Sequence, residues 1–201
     1  MAKSALLIGA TGLVGGFVLQ QILQDDYYDK VIVLTRKPLN NQHPKLKEVV
    51  VDFNKLDDYA AEIKADIIFS CLGTTIKVAG SQEAFKRVDF EYPYKVAHIA
   101  KQNGASAYLL VSALGAAKDS LVFYNRVKGE LEEEVSSLNY DAFHILQPSL
   151  IIGDRKEART GEGIAQKLAP VFDALMIGGL KKYKSIKAEQ IAIAMVAYSK
   201  L

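Results

Sequence analysis

The stretch Ser4-Ala5-Leu6-Leu7-Ile8-Gly9-Ala10-Thr11-Gly12-Leu13-Val14-Gly15-Gly16 decides the fold of this chain. A short apolar run ends at Gly9, glycines recur three residues apart, and an apolar helical pattern follows at once. A strand that enters a tight turn and then a helix sets a dinucleotide pyrophosphate on the N–H groups of the helix N-terminus. Gly9 would allow the sharp turn, Gly12 would let the backbone approach the phosphates, and Gly15 would let helix and strand pack closely. The pattern therefore predicts nucleotide binding.

The composition narrows the class of protein. With 201 residues, half of them apolar, the chain is expected to form a single domain over residues 1–201. The net charge of +2 is too small for a face that binds nucleic acid. The three histidines do not have the spacing that is typical of a metal site. One cysteine, Cys71, excludes an internal disulfide and fits a reducing cytoplasm. Because Gly9 and Gly12 interrupt the first apolar run, we predict a soluble cytoplasmic protein without a signal peptide or membrane contact.

Strand-like and helical patterns alternate along the chain. The predicted strands cover residues 4–8, 31–34, 48–51, 65–69, 108–111 and 143–146. The predicted helices cover residues 13–24, 55–63, 81–102, 122–137 and 188–198. We expect the third helix to bend at Pro93 and to be capped at its C-terminal end by Gly104. The strands are almost continuously apolar, which is typical of parallel strands covered on both faces. The sequence therefore predicts an α/β fold, a Rossmann-like doubly wound parallel sheet with helices on both faces.

The alternation breaks down over residues 152–186, where glycines, charges and a short apolar helix (164–176) intervene. In a doubly wound fold a late insert of this kind can cover the carboxyl ends of the strands. We therefore expect this small C-terminal segment to lie on the substrate side.

The end of the second strand indicates which nucleotide is bound. A carboxylate about twenty residues past the glycines holds the ribose 2′-OH in NAD-binding versions of this fold, but here the sequence reads Leu34-Thr35-Arg36-Lys37. A carboxylate at this position would repel a 2′-phosphate, whereas the planar guanidinium of Arg36 can bind one through two hydrogen bonds. The alternative is that Arg36 and Lys37 are ordinary loop cations. The missing acid favours NADP over NAD.

Two further strand ends are candidates for cofactor contact. Asp52 could accept from the adenine amino group and Phe53 could line its pocket, although Asp52 could equally cap the short helix that follows. After the fourth strand, Gly73 would let the backbone pass close to the cofactor ribose and phosphates.

Ser112 and the segment Tyr124-Asn125-Arg126-Val127-Lys128 form the candidate catalytic constellation. Tyr124 and Lys128 share one helix face, so the ammonium can lie beside the phenol. A free tyrosine has a pKa of about 10, and lowering it by ~3 units requires roughly 4 kcal/mol of preference for the phenolate. A lysine and an oxidised nicotinamide ring, both positive, could supply that preference. Ser112 would hydrogen-bond the substrate oxygen, and Tyr124 would transfer the proton. A tyrosine packed in the core is the alternative.

At these residues the chain resembles the short-chain dehydrogenase/reductase superfamily, and more closely its atypical, Tat-interacting-protein-like branch. The similar segments are Gly9 to Gly15, Cys71-Leu-Gly-Thr-Thr75, Arg87-Val-Asp89, Val111-Ser112, Tyr124 to Glu130 and Gly153-Asp154-Arg155. The resemblance implies a Rossmann protein that binds NADP, with Ser112, Tyr124 and Lys128 in the catalytic triad positions. It further implies cofactor contacts at Gly9, Thr11, Gly12, Leu13, Val14, Arg36, Asp52, Phe53, Leu72, Gly73, Thr74, Tyr124, Lys128, Pro148 and Leu150.

Three functions share these motifs. We expect an NADPH-dependent oxidoreductase that acts on a carbonyl or alcohol. An NADP(H)-sensing regulatory protein with a protein partner is the second hypothesis, since members of this branch are also described as regulators. An epimerase or dehydratase that uses bound NAD(P) transiently is the third. The sequence leaves the substrate open, as well as the choice between a monomer and a homodimer.

Overall fold

The apolar runs of the sequence form one six-stranded sheet in the computed structural model, which describes residues 2–153 and 184–201. All five strand pairs are parallel, and the order is β3-β2-β1-β4-β5-β6. The strands are β1 (Lys3–Ile8), β2 (Tyr28–Thr35), β3 (Leu46–Val50), β4 (Ile67–Ser70), β5 (Ala107–Val111) and β6 (Ala142–Leu146). The order reverses between β1 and β4, where Leu6 pairs with Ile32 on one side and Ile68 on the other. Ligands of open α/β sheets bind at this reversal point, outside the carboxyl ends of the strands.

Helices cover both faces of the sheet. They are α1 (Leu13–Gln24), α2 (Ile76–Ala79), α3 (Gln82–Lys86), α4 (Tyr92–Gln102), α5 (Phe123–Ser136) and α6 (Ala188–Tyr198). A 3₁₀ helix (Phe53–Glu62) follows β3, and a π-helical turn (Arg87–Glu91) joins α3 to α4. The predicted Rossmann-like doubly wound fold is confirmed.

Alternate residues of each strand enter two separate cores. Leu7 and Phe69 pack with α1 and α6 on one face, while Leu6 and Ile68 pack with α4 and α5 on the other. Because side chains alternate across a strand, covering both faces requires apolar residues at odd and even positions alike in the middle of the sheet. This requirement explains the continuous apolar runs of the sequence.

The long helical stretch predicted over residues 81–102 is present from Gln82 to Gln102, but a π-helical turn within it divides it into α3 and α4. Ser81 begins it as expected, since its hydroxyl accepts the N–H of Ala84 (3.1 Å). The π-helical turn separates α3 from α4, and Pro93 lies in the first turn of α4. The helix predicted over residues 55–63 is the 3₁₀ helix. The helices predicted over residues 13–24, 122–137 and 188–198 differ from the observed bounds by at most one residue at each end, whereas α2 was not predicted.

A second, two-stranded parallel sheet joins β7 (Ile151–Ile152) to β8 (Ile186–Lys187). These strands lie at the two ends of the predicted substrate-side segment. The predicted helix over residues 164–176 and most of that segment lie outside the described residues. Among the helices that the structure describes, none is long and apolar enough to cross a membrane.

Candidate functional site

The turn between β1 and α1 is built around its glycines. Gly9 has a φ of +86°, and a Cβ there would lie 2.5 Å from the carbonyl of Cys71. A Cβ on Gly15 would lie 2.1 Å from the carbonyl oxygen of Gly9, so helix and turn pack at a distance that only glycine permits. Gly12 is the N-cap of α1 and brings no side chain to the first-turn N–H groups. The turn therefore has the cradle that a pyrophosphate requires.

The residues around Gly12 differ in what they present. Thr11 is exposed, whereas the side chain of Val14 is buried in the core, so that Val14 has only its backbone for a ligand. The side chain of Leu13 lies against Gly153, where a Cβ would be 3.1 Å from Leu13 Cδ1. The end of β7 thus reaches the start of α1.

Arg36 lies in an exposed turn at the carboxyl end of β2, next to the glycine turn in the sheet. The turn is shaped by Thr35, whose hydroxyl donates to the carbonyl of Lys37 (2.8 Å). Both cations therefore project from the end of the strand next to β1. They lie at the sheet edge where the glycine turn leads into α1, and contact with a ribose phosphate stays a prediction.

Asp52 and Phe53 both have structural roles. The Asp52 carboxylate accepts the backbone N–H and the side-chain amide of Asn54 (3.0 Å each), and these bonds lower its pKa from the ordinary value. The helix-capping alternative for Asp52 is thus observed. Phe53 is buried and packs against the ring of Tyr92, with centroids 5.4 Å apart. Contact of either residue with adenine stays a prediction.

The loop after β4 meets the glycine turn. The N–H of Cys71 donates to the carbonyl of Ile8 (3.0 Å), and the Cys71 thiol lies 3.8 Å from the sulfur of Met195. Burial raises the pKa of this thiol to about 12, so it stays protonated at neutral pH, as expected of a structural cysteine. Leu72 packs on the second core, and Gly73 is exposed. The N–H of Thr74 donates to Asp89 Oδ2 (2.8 Å).

Ser112 follows β5 at the same edge of the sheet. Its N–H donates to the carbonyl of Leu146 (2.8 Å), and the residue is 5 % exposed. The hydroxyl oxygen is buried and has no hydrogen-bond partner among the described residues. Because burying an unpaired hydroxyl is unfavourable, this oxygen is suited to bond a ligand.

Tyr124 and Lys128 lie one turn apart on α5, as predicted. The ring of Tyr124 packs against Phe85 of α3, with centroids 5.4 Å apart. The amine of Lys128 is 2.7 Å from Asp89 Oδ1, and the two side chains are 4 % and 1 % exposed. A Cβ on Gly73 would be 3.9 Å from this amine, so α5 brings Lys128 to the loop after β4.

The loop between Ser112 and α5 is held against the helix at Gly129. A Cβ on Gly129 would lie 2.3–2.6 Å from backbone atoms of Ala117 and Lys118. The N–H of Ala117 donates to the carbonyl of Asn125 (3.1 Å). The loop that starts at Ser112 is therefore fixed to the helix that bears Tyr124 and Lys128.

Pro148 and Leu150 follow β6. The carbonyl of Pro148 accepts the N–H of Leu114 (2.9 Å), which ties this loop to the one after Ser112. The carbonyl of Leu150 accepts the N–H of Ile186 (2.9 Å), and its side chain is exposed. Both residues thus lie at the carboxyl edge of the sheet. A contact with nicotinamide stays a prediction.

The predicted site residues therefore lie beyond the carboxyl ends of all six strands, apart from Tyr124 and Lys128, which lie on α5. Sequence reasoning missed the role of Asp89, although the acid stands out between Val88 and Phe90. A cavity of about 430 Å³ lies at the opposite edge, lined by Ser4, Lys30, Lys47, Asp66 and Asn103 among others, and takes no part in this site.

Comparison with known proteins agrees with this geometry. The sequence model of a family described as NAD(P)H-binding matches residues 9–152. The protein HTATIP2 of Rattus norvegicus is 39 % identical over 169 residues, which cover 82 % of this chain and 69 % of that protein. The mitochondrial protein FMP52 of Candida albicans is 34 % identical over 89 % of this chain and 81 % of its own length.

A UDP-N-acetylglucosamine 4-epimerase from Methanobrevibacter ruminantium has a similar solved structure, with a TM-score of 0.74 at 16 % identity. The similarity covers 99 % of this chain and 73 % of the epimerase, and it shows the shared fold. The glycine cradle, the strand order and the match over residues 9–152 lead to one conclusion: the chain belongs to the NAD(P)H-binding family, as a homologue of the Tat-interacting-protein-like proteins.

Proposed function

We propose that this protein is an NADPH-dependent oxidoreductase that acts on a carbonyl or alcohol substrate. The observation that carries the proposal is the buried hydroxyl of Ser112, which has no hydrogen-bond partner within residues 2–153 and 184–201. Its loop is fixed to the helix that bears Tyr124 and Lys128. A buried hydroxyl, a phenol and an amine at the carboxyl edge of a dinucleotide-binding sheet can hold a substrate oxygen and move a proton to it.

Each residue has a separate task. Ser112 Oγ donates a hydrogen bond to the substrate oxygen and thereby gains the partner that it lacks among the described residues. The Tyr124 hydroxyl gives a proton to that oxygen in reduction and takes one in oxidation. Lys128 is positively charged next to the loop after β4 and favours the deprotonated phenol. A nicotinamide cofactor bound at this edge of the sheet would supply or accept the hydride.

Turnover tests this function. A panel of aldehydes, ketones and quinones is incubated with protein and NADPH while NADPH absorbance is followed. Tyr124→Phe should lower kcat by about 10²- to 10⁴-fold, the usual contribution of general acid–base catalysis. Tyr94→Phe is the matched control, because Tyr94 is a partly buried tyrosine that stacks on Phe90 in a different part of the fold. Equal NADPH consumption by wild type and Tyr124→Phe would refute the triad, and product without net NADPH loss would indicate an epimerase or dehydratase.

The preference for NADP(H) over NAD(H) belongs to the same proposal. Arg36 and Lys37 supply positive charge at the end of β2, where an acid would exclude a 2′-phosphate. In a thermal shift assay NADPH should stabilise the wild type more than NADH does, and Arg36→Ala should remove that difference. Lys30→Ala, an exposed cation near the amino end of β2, should keep it. A larger shift with NADH in the wild type would overturn the preference.

A nucleotide-dependent binding protein is the second candidate. Leu121 and Val122 are 99 % and 58 % exposed directly before α5, two residues from Tyr124. An apolar partner surface at this place would sense whether the neighbouring site is occupied. This function predicts partner capture that depends on NADPH together with no turnover of any carbonyl; capture that is the same without nucleotide would contradict it.

We place the protein in the cytoplasm, since its single cysteine needs no oxidising compartment. The fungal relatives carry the word mitochondrial in their names, so fractionation of cells that express the full chain is the deciding measurement. Recovery in the mitochondrial fraction would contradict this placement.

A further inference from the structure

The loop after β2 is fastened on both sides of its two cations. At its start, the hydroxyl of Thr35 donates to the carbonyl of Lys37 at 2.8 Å. At its far side, the N–H of Leu39 lies 3.1 Å from Oε1 and 3.0 Å from Oε2 of Glu48, a residue of β3. Hydrogen bonds to an ionised carboxylate are stronger than bonds between neutral groups. Arg36 and Lys37 therefore lie between two points at which the loop is attached to the sheet.

The strand pairing explains how Glu48 reaches this loop. Glu48 lies opposite Val33 of β2, which belongs to the first core. Its neighbour Val49 packs against the second core, so alternation along β3 places Glu48 on the face of the first core. The side chain of Leu39 packs against the first core as well. The loop thus folds back over this face of the sheet, where its backbone meets the Glu48 carboxylate.

The short segment between the two attachments has little conformational freedom. Pro38 is the only residue between the cations and Leu39, and its ring fixes φ. A residue that precedes proline is confined to extended conformations, which restricts Lys37. Asn40, after Leu39, has a φ of +53°, a conformation that few residues other than glycine adopt. Contacts within the protein therefore define the path of this loop in the absence of a ligand.

The acid that fastens the loop does not neutralise its cations. Arg36 and Lys37 are exposed, and within residues 2–153 and 184–201 Glu48 forms no ion pair with either of them. Its carboxylate instead accepts the N–H of Leu39. An anionic ligand that contacts both cations would bind more tightly to a loop that is already ordered, because it would not have to order the loop itself.

We propose that Glu48 is a positioning residue that holds the loop after β2 against the sheet and thereby fixes Arg36 and Lys37 for the 2′-phosphate of NADPH. The effect on cofactor choice rests on the proposed preference for NADP(H). The attachment of the loop does not, because it is a contact of the protein with itself. Glu48 acts through the backbone of Leu39 and does not touch the nucleotide.

Amide hydrogen exchange without nucleotide tests the attachment. Glu48→Ala has no acceptor and Glu48→Asp is one methylene too short, so both should speed exchange at Leu39 by about tenfold or more. Glu48→Gln keeps an oxygen at the same reach and should retain the protection. Glu62→Gln is the control, because Glu62 is an exposed acid that pairs with Lys47, the neighbour of Glu48 in β3. Protection at Leu39 that is equal in Glu48→Ala and Glu62→Gln would overturn the proposal. If Glu48→Ala does not fold, the same equality between Glu48→Asp and Glu62→Gln overturns it.

Nucleotide binding tests whether position or charge matters. In titrations followed by nucleotide fluorescence, Glu48→Asp should weaken NADPH binding by about tenfold, roughly the cost of ordering one residue, whereas NADH binding should stay within about twofold. Glu48→Gln should keep the wild-type ratio of the two affinities. An equal loss for NADPH and NADH would show that Glu48 only stabilises the fold. An altered ratio in Glu48→Gln with an unchanged ratio in Glu48→Asp would show that its charge acts instead, and either result refutes the proposal.

A double-mutant cycle with Arg36→Ala separates this inference from the proposed cofactor preference. If Glu48 acts through Arg36, adding Glu48→Asp to Arg36→Ala should weaken NADPH binding by less than about threefold further. A further tenfold loss would contradict that route. If the wild type binds NADPH no better than NADH, and Arg36→Ala changes neither affinity, the cofactor preference itself is wrong. The exchange rate at Leu39 then still decides whether Glu48 holds the loop.

Discussion

Gly129 lies in the interior of α5, where an alanine would ordinarily stabilise a helix by about 0.5–1 kcal/mol. The packing of the loop after Ser112 opposes that gain. A Cβ would lie 2.3–2.6 Å from the backbone of Ala117 and Lys118, and backbone atoms cannot rotate away as a side chain does. The glycine is therefore required at this residue by the close approach of a loop.

We predict that Gly129→Ala lowers the free energy of unfolding by about 1–3 kcal/mol or more, the usual cost of overpacking, and also reduces turnover by displacing the loop of Ser112. Urea unfolding measures the first effect. Gly16→Ala is the matched control, because Gly16 also lies within a helix but a Cβ there would be 3.6 Å from its nearest neighbour. Its stability should stay the same or rise by roughly 0.5–1 kcal/mol. Equal stability of the two variants would contradict the steric explanation.

At the residue scale the sequence predicts some roles and not others. The functions of Gly9 and Gly15 followed from their spacing, because a strand–turn–helix passage has few geometric solutions. Asp52 had two interpretations, and the structure shows the helix cap, which depends only on near neighbours. Asp89 could not be assigned a role, because its partners Lys128 and Thr74 are distant in sequence and meet it only through the π-helical turn.

At the element scale, the cap of α3 starts a longer helical stretch. α3 (Gln82–Lys86) begins after Ser81, whose hydroxyl accepts the N–H of Ala84 (3.1 Å). It continues without a break into the π-helical turn and α4, so Ser81 caps a stretch that runs to Gln102. α3 matters to the site because Phe85 supports the ring of Tyr124.

We predict that Ser81→Ala lowers the free energy of unfolding by about 1 kcal/mol, as loss of an N-cap usually does, and that Ser81→Asp does not. Chemical denaturation measures both variants. Hydrogen exchange over residues 82–86 should become faster in Ser81→Ala alone, since the first turn loses its acceptor. If alanine and aspartate give the same stability, the hydroxyl does not act as a cap.

The strands were easier to predict than the long helical stretch. A continuous apolar run is typical of a strand in a sheet that is covered on both faces. All six predicted strands are present. The stretch over residues 81–102 has helical periodicity throughout, and a π-helical turn leaves almost no trace in periodicity because it shifts the register by one residue. The π-helical turn makes side-chain contacts with α5 and with the loop after β4. Such tertiary contacts cannot be read from the periodicity of the sequence.

At the scale of the whole molecule, buried tyrosines hold the helical layers on both faces of the sheet. Tyr28 bonds the hydroxyl of Ser199 at 2.5 Å beyond the end of α6. On the other face, Tyr108 donates to the carbonyl of Pro93 (3.0 Å) and Tyr140 to that of Ala97 (2.6 Å), both in α4. Carbonyl oxygens only accept, so the bonds of Tyr108 and Tyr140 exist only while the phenols keep their protons.

Burial raises the pKa of Tyr28 to about 12, and it also raises the pKa of Tyr108 and Tyr140. A folded-state pKa above the unfolded value means that the unfolded chain loses its proton first as the pH rises. The resulting stability is fully present below pH ~10, the ordinary tyrosine pKa, and for Tyr28 it is lost between there and about pH 12. The fold should therefore be lost in alkali, when both helical layers lose their phenol bonds.

We predict that the free energy of unfolding falls above pH ~10, by up to roughly 1.4 kcal/mol per pH unit for each such phenol. Tyr28→Phe should be less stable than the wild type at pH 7 by about 0.5–1.5 kcal/mol, because it loses the bond to Ser199. Its stability should then fall less steeply above pH 10, so the two curves converge as the wild-type phenol loses its advantage. Urea unfolding across the alkaline range measures both curves. Parallel curves would show that Tyr28 does not couple its proton to folding, whereas convergence would identify the contact between β2 and the end of α6 as one origin of alkaline unfolding.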